Sequence, residues 1–149
     1  MIDSDSDDIL LTFQIPHHFI HLLMHDHVVP DELGINKTEV RTLMAIRREG
    51  PVSMRTIGSR VGIAKGSLTS VVDKLIKLEL VQRSEHPEDR RKVLVSITEK
   101  GQQVAIREDK ELRAHLGRKF SVLEDEEREA LFQSLSTIQK ITKRLKGAK

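Results

Sequence analysis

The sequence predicts a mainly α fold that carries one small β-hairpin. Three observations predict it. Apolar residues recur at helical spacing through most of the 149 residues. Between Leu80 and Ile97 the period falls to two. Gly62 separates two short helical patterns just ahead of that change. The length suits a single domain, which buries roughly 70% of its extended surface without cross-links. The chain contains no cysteine, which removes disulfides, thiolate metal sites and thiol chemistry.

Residues 1–15 read as an acidic, flexible lead-in, with Asp3, Asp5, Asp7 and Asp8 and no Lys or Arg. A helix is expected over residues 16–29, with Pro16 in its first turn and Pro30 and Gly34 after it. A second helix opens at Asn36 or Lys37, buries Val40, Leu43, Met44 and Ile46, and stops at Gly50-Pro51. Ser53 then caps a short helix in which Met54, Ile57 and Val61 share a face, and Gly62-Ile63 breaks it. The next helix runs from about Ala64 to Leu78. Leu68, Val71, Val72, Leu75 and Leu78 point inward, and Lys65, Ser67, Thr69, Ser70, Asp73, Lys74 and Lys77 outward.

Residues 80–84 and 92–97 read as two strands, with Val93, Val95 and Ile97 on one face. The seven residues between them, Glu85 to Arg91, exceed the usual hairpin loop, so the tip projects. Thr98 caps a long helix from Glu99 to about Gly117. A last helix starts near Glu124. Acids fill its first turn, bases its last, and Leu131, Leu135, Ile138 and Leu145 form its stripe. There is no internal repeat and no apolar run long enough to span a membrane.

The net charge of +2 conceals an asymmetry. Residues 1–36 carry seven acids and no Lys or Arg, whereas residues 52–100 carry ten bases against six acids. A basic middle suits phosphate. With four Phe and neither Trp nor Tyr, the chain lacks the aromatic platforms of single-strand and RNA readers. No G-x-S-x-G, dinucleotide-binding or phosphate-loop motif is present, and Asp3, Asp5 and Asp7 do not continue into a calcium loop, so no enzyme is indicated. The acidic N-terminus is unlike a secretory leader, which points to the cytoplasm.

The order helix, short helix, glycine turn, helix, hairpin is that of a winged helix-turn-helix, spanning about residues 37–98. One helix lies in the major groove and a second braces it across the backbone. Gly58, four residues before Gly62, would let the two helices approach. The stretch Ile57-Gly58-Ser59-Arg60-Val61-Gly62-Ile63-Ala64-Lys65-Gly66-Ser67-Leu68-Thr69-Ser70-Val71-Val72-Asp73-Lys74-Leu75 resembles the helix-turn-helix of MarR-type regulators. So does Leu80-Val81-Gln82-Arg83. The most specific part is the wing, with Asp89-Arg90-Arg91 followed by Thr98-Glu99-Lys100-Gly101. The resemblance covers about residues 16–146. It departs at Ala64, where Ser or Thr is usual, at Gly58, where Ala is common, and in the histidines of the first helix.

This resemblance implies a ligand-responsive homodimeric repressor that binds a pseudopalindromic double-stranded DNA operator, with residues 16–29 and 99–146 as dimerisation helices. Flanking amphipathic helices that the winged unit does not need point the same way. No cofactor is required, and an organic effector is possible. Lys65, Gly66, Ser67, Thr69, Ser70 and Lys74 are the candidate contacts of the recognition helix. That helix has no Asn, Gln or Arg, so shape readout gains weight. Arg91 resembles the family's minor-groove arginine. Asp89 would orient Arg83 or Arg91, Arg90 and Lys92 would follow phosphate, and Arg55 is a further phosphate candidate. His17, His21 and His25 stand at i, i+4, i+8, flanked by His18 and His27. They are candidate ligands for zinc or another divalent metal, or sensors of pH. Two other readings stay open: a winged-helix module that binds protein, and a histidine-based metal-responsive regulator.

Overall fold

A computed structural model describes residues 16–29, 34–89 and 92–147. The acidic lead-in over residues 1–15 and the wing-tip pair Arg90 and Arg91 lie outside the described residues. The chain divides into two units, residues 26–112 and residues 1–25 with 113–149.

Helix α1 occupies residues 16–24 and is shorter than expected, closing in a turn at residues 25–26. Residues 27–29 leave the helix ahead of Pro30, and the residue before a proline is pushed out of helical backbone. Helix α2 is Lys37–Glu49. Its start is a reciprocal capping box. The Asn36 side chain accepts from the backbone N–H of Thr38 and Glu39 at 2.9 and 3.0 Å, and the Glu39 carboxylate accepts from the Asn36 N–H at 2.8 Å. Strand β1, Val52–Ser53, was not expected; two residues carry no periodicity.

Helix α3 is Met54–Val61, and the Ser53 side chain accepts from the Thr56 N–H at 3.3 Å. Gly62 ends α3 in the left-handed region at φ 70°, a conformation that costs other residues about 1–2 kcal/mol. Helix α4, Lys65–Lys77, follows after three residues. Strands β2, Val81–Glu85, and β3, Val93–Ile97, form the hairpin, each within a residue of its expected start. Helix α5 is Glu99–Phe120 and continues through Gly117. Helix α6 is Asp125–Gly147.

The sheet is antiparallel in the order β1-β3-β2. Val95 sits at its centre, opposite Val52 on one side and Arg83 on the other. It is buried, whereas Val93, nearer the tip, is exposed and Ile97 half-buried. The core lies in the unit of residues 26–112. Leu43, Ile46, Ile57, Leu68, Val72, Leu75, Leu80 and Val95 meet there, each large side chain contributing about 1.5–3 kcal/mol.

Where α4 ends, Glu79 adopts φ 60°. The Glu79 N–H reaches the Ile76 carbonyl at 2.8 Å and the Leu80 N–H reaches the Leu75 carbonyl at 2.9 Å, the pairing of a Schellman turn with Glu79 at the left-handed position. The carbonyls of the next segment are all taken by the start of α5. Lys100 Nζ donates to Leu78 at 2.9 Å, Thr98 Oγ1 to Glu79 at 2.6 Å, and the Thr98 N–H to Leu80 at 3.1 Å. Thr98 Oγ1 also accepts from the Gly101 N–H at 3.0 Å, capping α5. Gly101 packs on this turn so closely that a Cβ would stand 1.9 Å from the Leu80 carbonyl oxygen.

A buried carboxylate also lies on α5: Glu108 is only 2% exposed, on the face that also carries Ala105. Among the described residues neither carboxylate oxygen has a hydrogen-bond partner. Burial raises its pKa above the ordinary 4.5, Arg107 lowers it, and Glu111 raises it further.

In the unit of residues 1–25 and 113–149, buried His115 on α5 meets the Leu23 carbonyl through Nε2 at 2.7 Å. Phe120 and Phe132 pack edge to face with centroids 5.8 Å apart. Glu127 accepts from the Glu124 N–H at 2.9 Å, closing the first turn of α6. The expected α6 stripe is not buried within the chain: Leu131 is half-buried, but Leu135, Ile138 and Leu145 are exposed.

Gly101→Ala is expected to lower stability by about 2–4 kcal/mol in urea unfolding, because backbone cannot retreat from the new methyl group. Gly66→Ala, where a Cβ meets open space, should change it by under about 1 kcal/mol. Equal midpoints for the two variants would contradict the close approach. Glu108 predicts a pH signature. A carboxyl whose folded pKa is raised holds its proton more tightly when folded, so its contribution is fully present below 4.5 and is lost as pH climbs through the folded value. Glu108→Gln should flatten the fall in unfolding midpoint across that window. Parallel pH profiles for wild type and variant would show that Glu108 is not the group responsible.

Candidate nucleic-acid interface

The candidate interface is the outer face of α4 with the wing beside it. Its rigidity comes from the inner faces. Leu68, Val72 and Leu75 seat α4 in the core. Gly58 lets α3 close on it: a Cβ there would lie 3.3 Å from the Leu68 side chain. From α2, Arg41 Nη2 donates to the Val61 carbonyl at 2.8 Å, at the end of α3. Glu49 pairs with Arg60 at 3.0 Å.

The direction in which each position on α4 points decides the fate of its candidate, because successive residues step about 100° around a helix. Lys65, Gly66, Ser67, Thr69 and Ser70 are all exposed. The Lys65 side chain has no hydrogen bond or ion pair among the described residues. The Thr69 hydroxyl donates to the Lys65 carbonyl at 3.1 Å, leaving its lone pairs outward. Ala64 stands at the N-cap and supplies no side-chain hydrogen bond, so the first-turn N–H groups of α4 remain open toward solvent. Such an end suits a phosphate oxygen.

Lys74 is different. Its Nζ lies 2.9 Å from Glu39 Oε2, the carboxylate that also closes the α2 capping box. The expected groove contact is therefore engaged with α2, because its position on α4 faces that helix. Glu39, buried and unremarked in the sequence, is legible afterwards in the Asn36-x-x-Glu39 spacing.

In the wing, β2 and β3 pair through Glu85 opposite Val93, and the His86 N–H adds a further bond to the Lys92 carbonyl at 3.0 Å. The Lys92 N–H reaches the Asp89 carbonyl at 2.9 Å, and His86 Nδ1 accepts from the Glu88 N–H at 3.2 Å. Asp89 Oδ2 lies 3.5 Å from Lys92 Nζ. Arg83 does not take Asp89 as its partner; it donates to Asp73 on α4 at 2.5 Å. That pair ties the hairpin to α4; the sequence pointed only to Asp89 as a partner for Arg83, because Asp73 lies on a different element. Arg55, on the first turn of α3, is exposed and has no partner among the described residues. Arg90 and Arg91 are outside them.

The histidines do not form the expected three-ligand arrangement. Among the described residues no group of three or more His, Asp or Glu side chains is placed to hold a metal, His17, His21 and His25 included. Helix spacing spreads the three over two turns, about 12 Å, too far for one ion to reach both ends.

Comparison with known proteins agrees with this geometry. The profile of the MarR family matches residues 35–93, from the N-cap region of α2 to the start of β3. The HTH-type transcriptional regulator MhqR of Bacillus subtilis is 34% identical over 120 residues, covering 79% of each chain. The chain belongs to the MarR family. This regulator also shares its fold with the transcriptional regulator BldR from Sulfolobus solfataricus, at 27% identity, with a TM-score of 0.66 over 94% of this chain and 97% of that one. The structure of Bordetella bronchiseptica BpsR, whose DNA binding is regulated by 6-hydroxynicotinic acid, matches with a TM-score of 0.66 at 22% identity, over 87% of this chain and 98% of that one. As a MarR-family member, the chain is a DNA-binding transcriptional regulator with a winged-helix core. Among the described residues no helix is long and apolar enough to cross a membrane.

Lys65 and Lys74 separate in a paired test. Lys74→Ala is expected to cost about 1–2 kcal/mol of stability by leaving Glu39 buried without its cation, and to leave the salt dependence of duplex binding unchanged. Lys65→Ala should leave stability unchanged and reduce the slope of log affinity against log salt by about 0.9. The reverse pattern would exchange the two roles.

Proposed function

We propose that this regulator is a cytoplasmic homodimeric repressor. It occupies a pseudopalindromic operator, and a small-molecule effector shifts its affinity. The observation that carries the reading is the division of α4 into a face locked in the core and a face that offers Lys65, Ser67, Thr69 and Ser70 to solvent beside an uncapped N-terminus. That face enters the major groove, with Ser and Thr hydroxyls meeting base edges or phosphate and Lys65 neutralising phosphate. Arg55 adds a phosphate contact from α3. The wing brings Arg90 and Lys92 along the backbone and Arg91 into the minor groove, where a narrow A·T tract concentrates negative potential.

Self-association is supported by α6. Phe132, Leu135, Ile138, Ile141 and Leu145 recur at three- and four-residue steps and remain exposed in the single chain. A second copy would cover them and bring two recognition helices to half-sites about 34 Å apart. The regulation of BpsR by an organic acid supports an organic effector here. Such a ligand must favour one state by about 1–3 kcal/mol to matter.

Fluorescence anisotropy with the labelled duplex from upstream of the regulator's own gene, in excess nonspecific competitor, tests the reading. Saturable, salt-dependent binding well above competitor is expected, with Arg91→Ala weakening it by about 1–3 kcal/mol. Affinity no greater than for competitor would count against an operator at that location. Unchanged affinity for Arg91→Ala would remove the wing-tip assignment.

A further inference from the structure

The DNA-binding reading leaves the histidines of α1 unused. His17, His18, His21 and His25 are all exposed. His21 and His25 stand one helical turn apart, and their ring centroids are 5.4 Å from each other with the rings tilted by 49°. The spacing has a chemical meaning. Imidazole nitrogens bind zinc at about 2.0–2.1 Å, so two rings on one tetrahedral ion have centres roughly 5 Å apart. The two rings therefore stand at a separation that one shared ion can bridge.

We infer that His21 and His25 form a two-imidazole chelating site for a divalent transition metal. Imidazole donors select zinc, copper(II) or nickel(II) over magnesium or calcium, which prefer oxygen. No third His, Asp or Glu converges on the pair among the described residues, so water or another small ligand completes the shell. This is an open site, weaker than a closed structural one. The ion bridges the last turn of α1 to the turn over residues 25–26 and holds that end of the helix closed. The inference is independent of how the protein engages DNA.

Isothermal titration of the full chain with zinc ion, in a magnesium-containing buffer, tests it. One saturable zinc per chain is expected. His21→Ala and His25→Ala should each weaken binding about tenfold or more, while His18→Ala leaves it unchanged. Circular dichroism of each variant, expected to match wild type because these side chains are exposed, separates ligand loss from misfolding. Binding at full strength in the His21→Ala/His25→Ala double variant overturns the proposal. So does equal loss in His18→Ala, or the absence of saturable binding at zinc concentrations up to about 1 mM.

Discussion

The three consecutive carbonyls of Leu78, Glu79 and Leu80 are the constraint on which the DNA-binding unit depends. They form the end of the recognition helix and the entrance to the wing, and the start of α5 takes all three. Thr98 joins the two sides through one hydroxyl, donating to the turn and accepting from the first turn of α5. The arrangement requires a left-handed residue at Glu79 and a side chain no larger than hydrogen at Gly101. Thr98-Glu99-Lys100-Gly101 is thus a physical unit: a cap, a long cation and a gap, each matched to one backbone group. With the turn held, the axis of α4 and the direction of β2 cannot vary independently.

Helix α2 provides the second set of constraints. Glu39 serves two hydrogen-bonding demands at once, closing its own helix and receiving Lys74 from α4. Arg41 and Glu49 reach the end of α3. The Asp73–Arg83 pair then ties the wing to the outer edge of α4. Charged groups thus position the outer face of α4 from behind, and exposed Lys65 and Arg55 are the cations proposed for phosphate. A helix that must carry positive charge toward DNA holds its geometry through the cations that do not point there.

Much of this architecture is legible in the sequence because its signals are local. Ser53, Thr98 and Asn36 mark helix starts by hydrogen bonds to N–H groups two or three residues ahead, and Gly62 marks the turn by its backbone. The outer face of α4 follows as the complement of Leu68, Val72 and Leu75. What escaped was non-local or lacked a period. Strand β1 is two residues long and exists only because Val52 meets Val95. The partner of Lys74 lies on another helix, and Arg83 chose Asp73 over Asp89 for reasons of register. Glu108 occupies an inward position that a carboxylate ordinarily avoids, so pattern alone places it outside. The α6 stripe is periodic in the sequence, yet Leu135, Ile138 and Leu145 remain exposed in the single chain.

In the proposed dimer, two copies of α4, each fixed by its own turn and wing, read one face of a duplex. Hydroxyl-radical footprinting of the upstream duplex examines this most directly, since it records every sugar the protein shields. Two protected patches are expected on the same face, separated by about one helical turn, with flanking minor-groove protection where the wings lie. A single protected patch, or uniform shielding without a period, would contradict it.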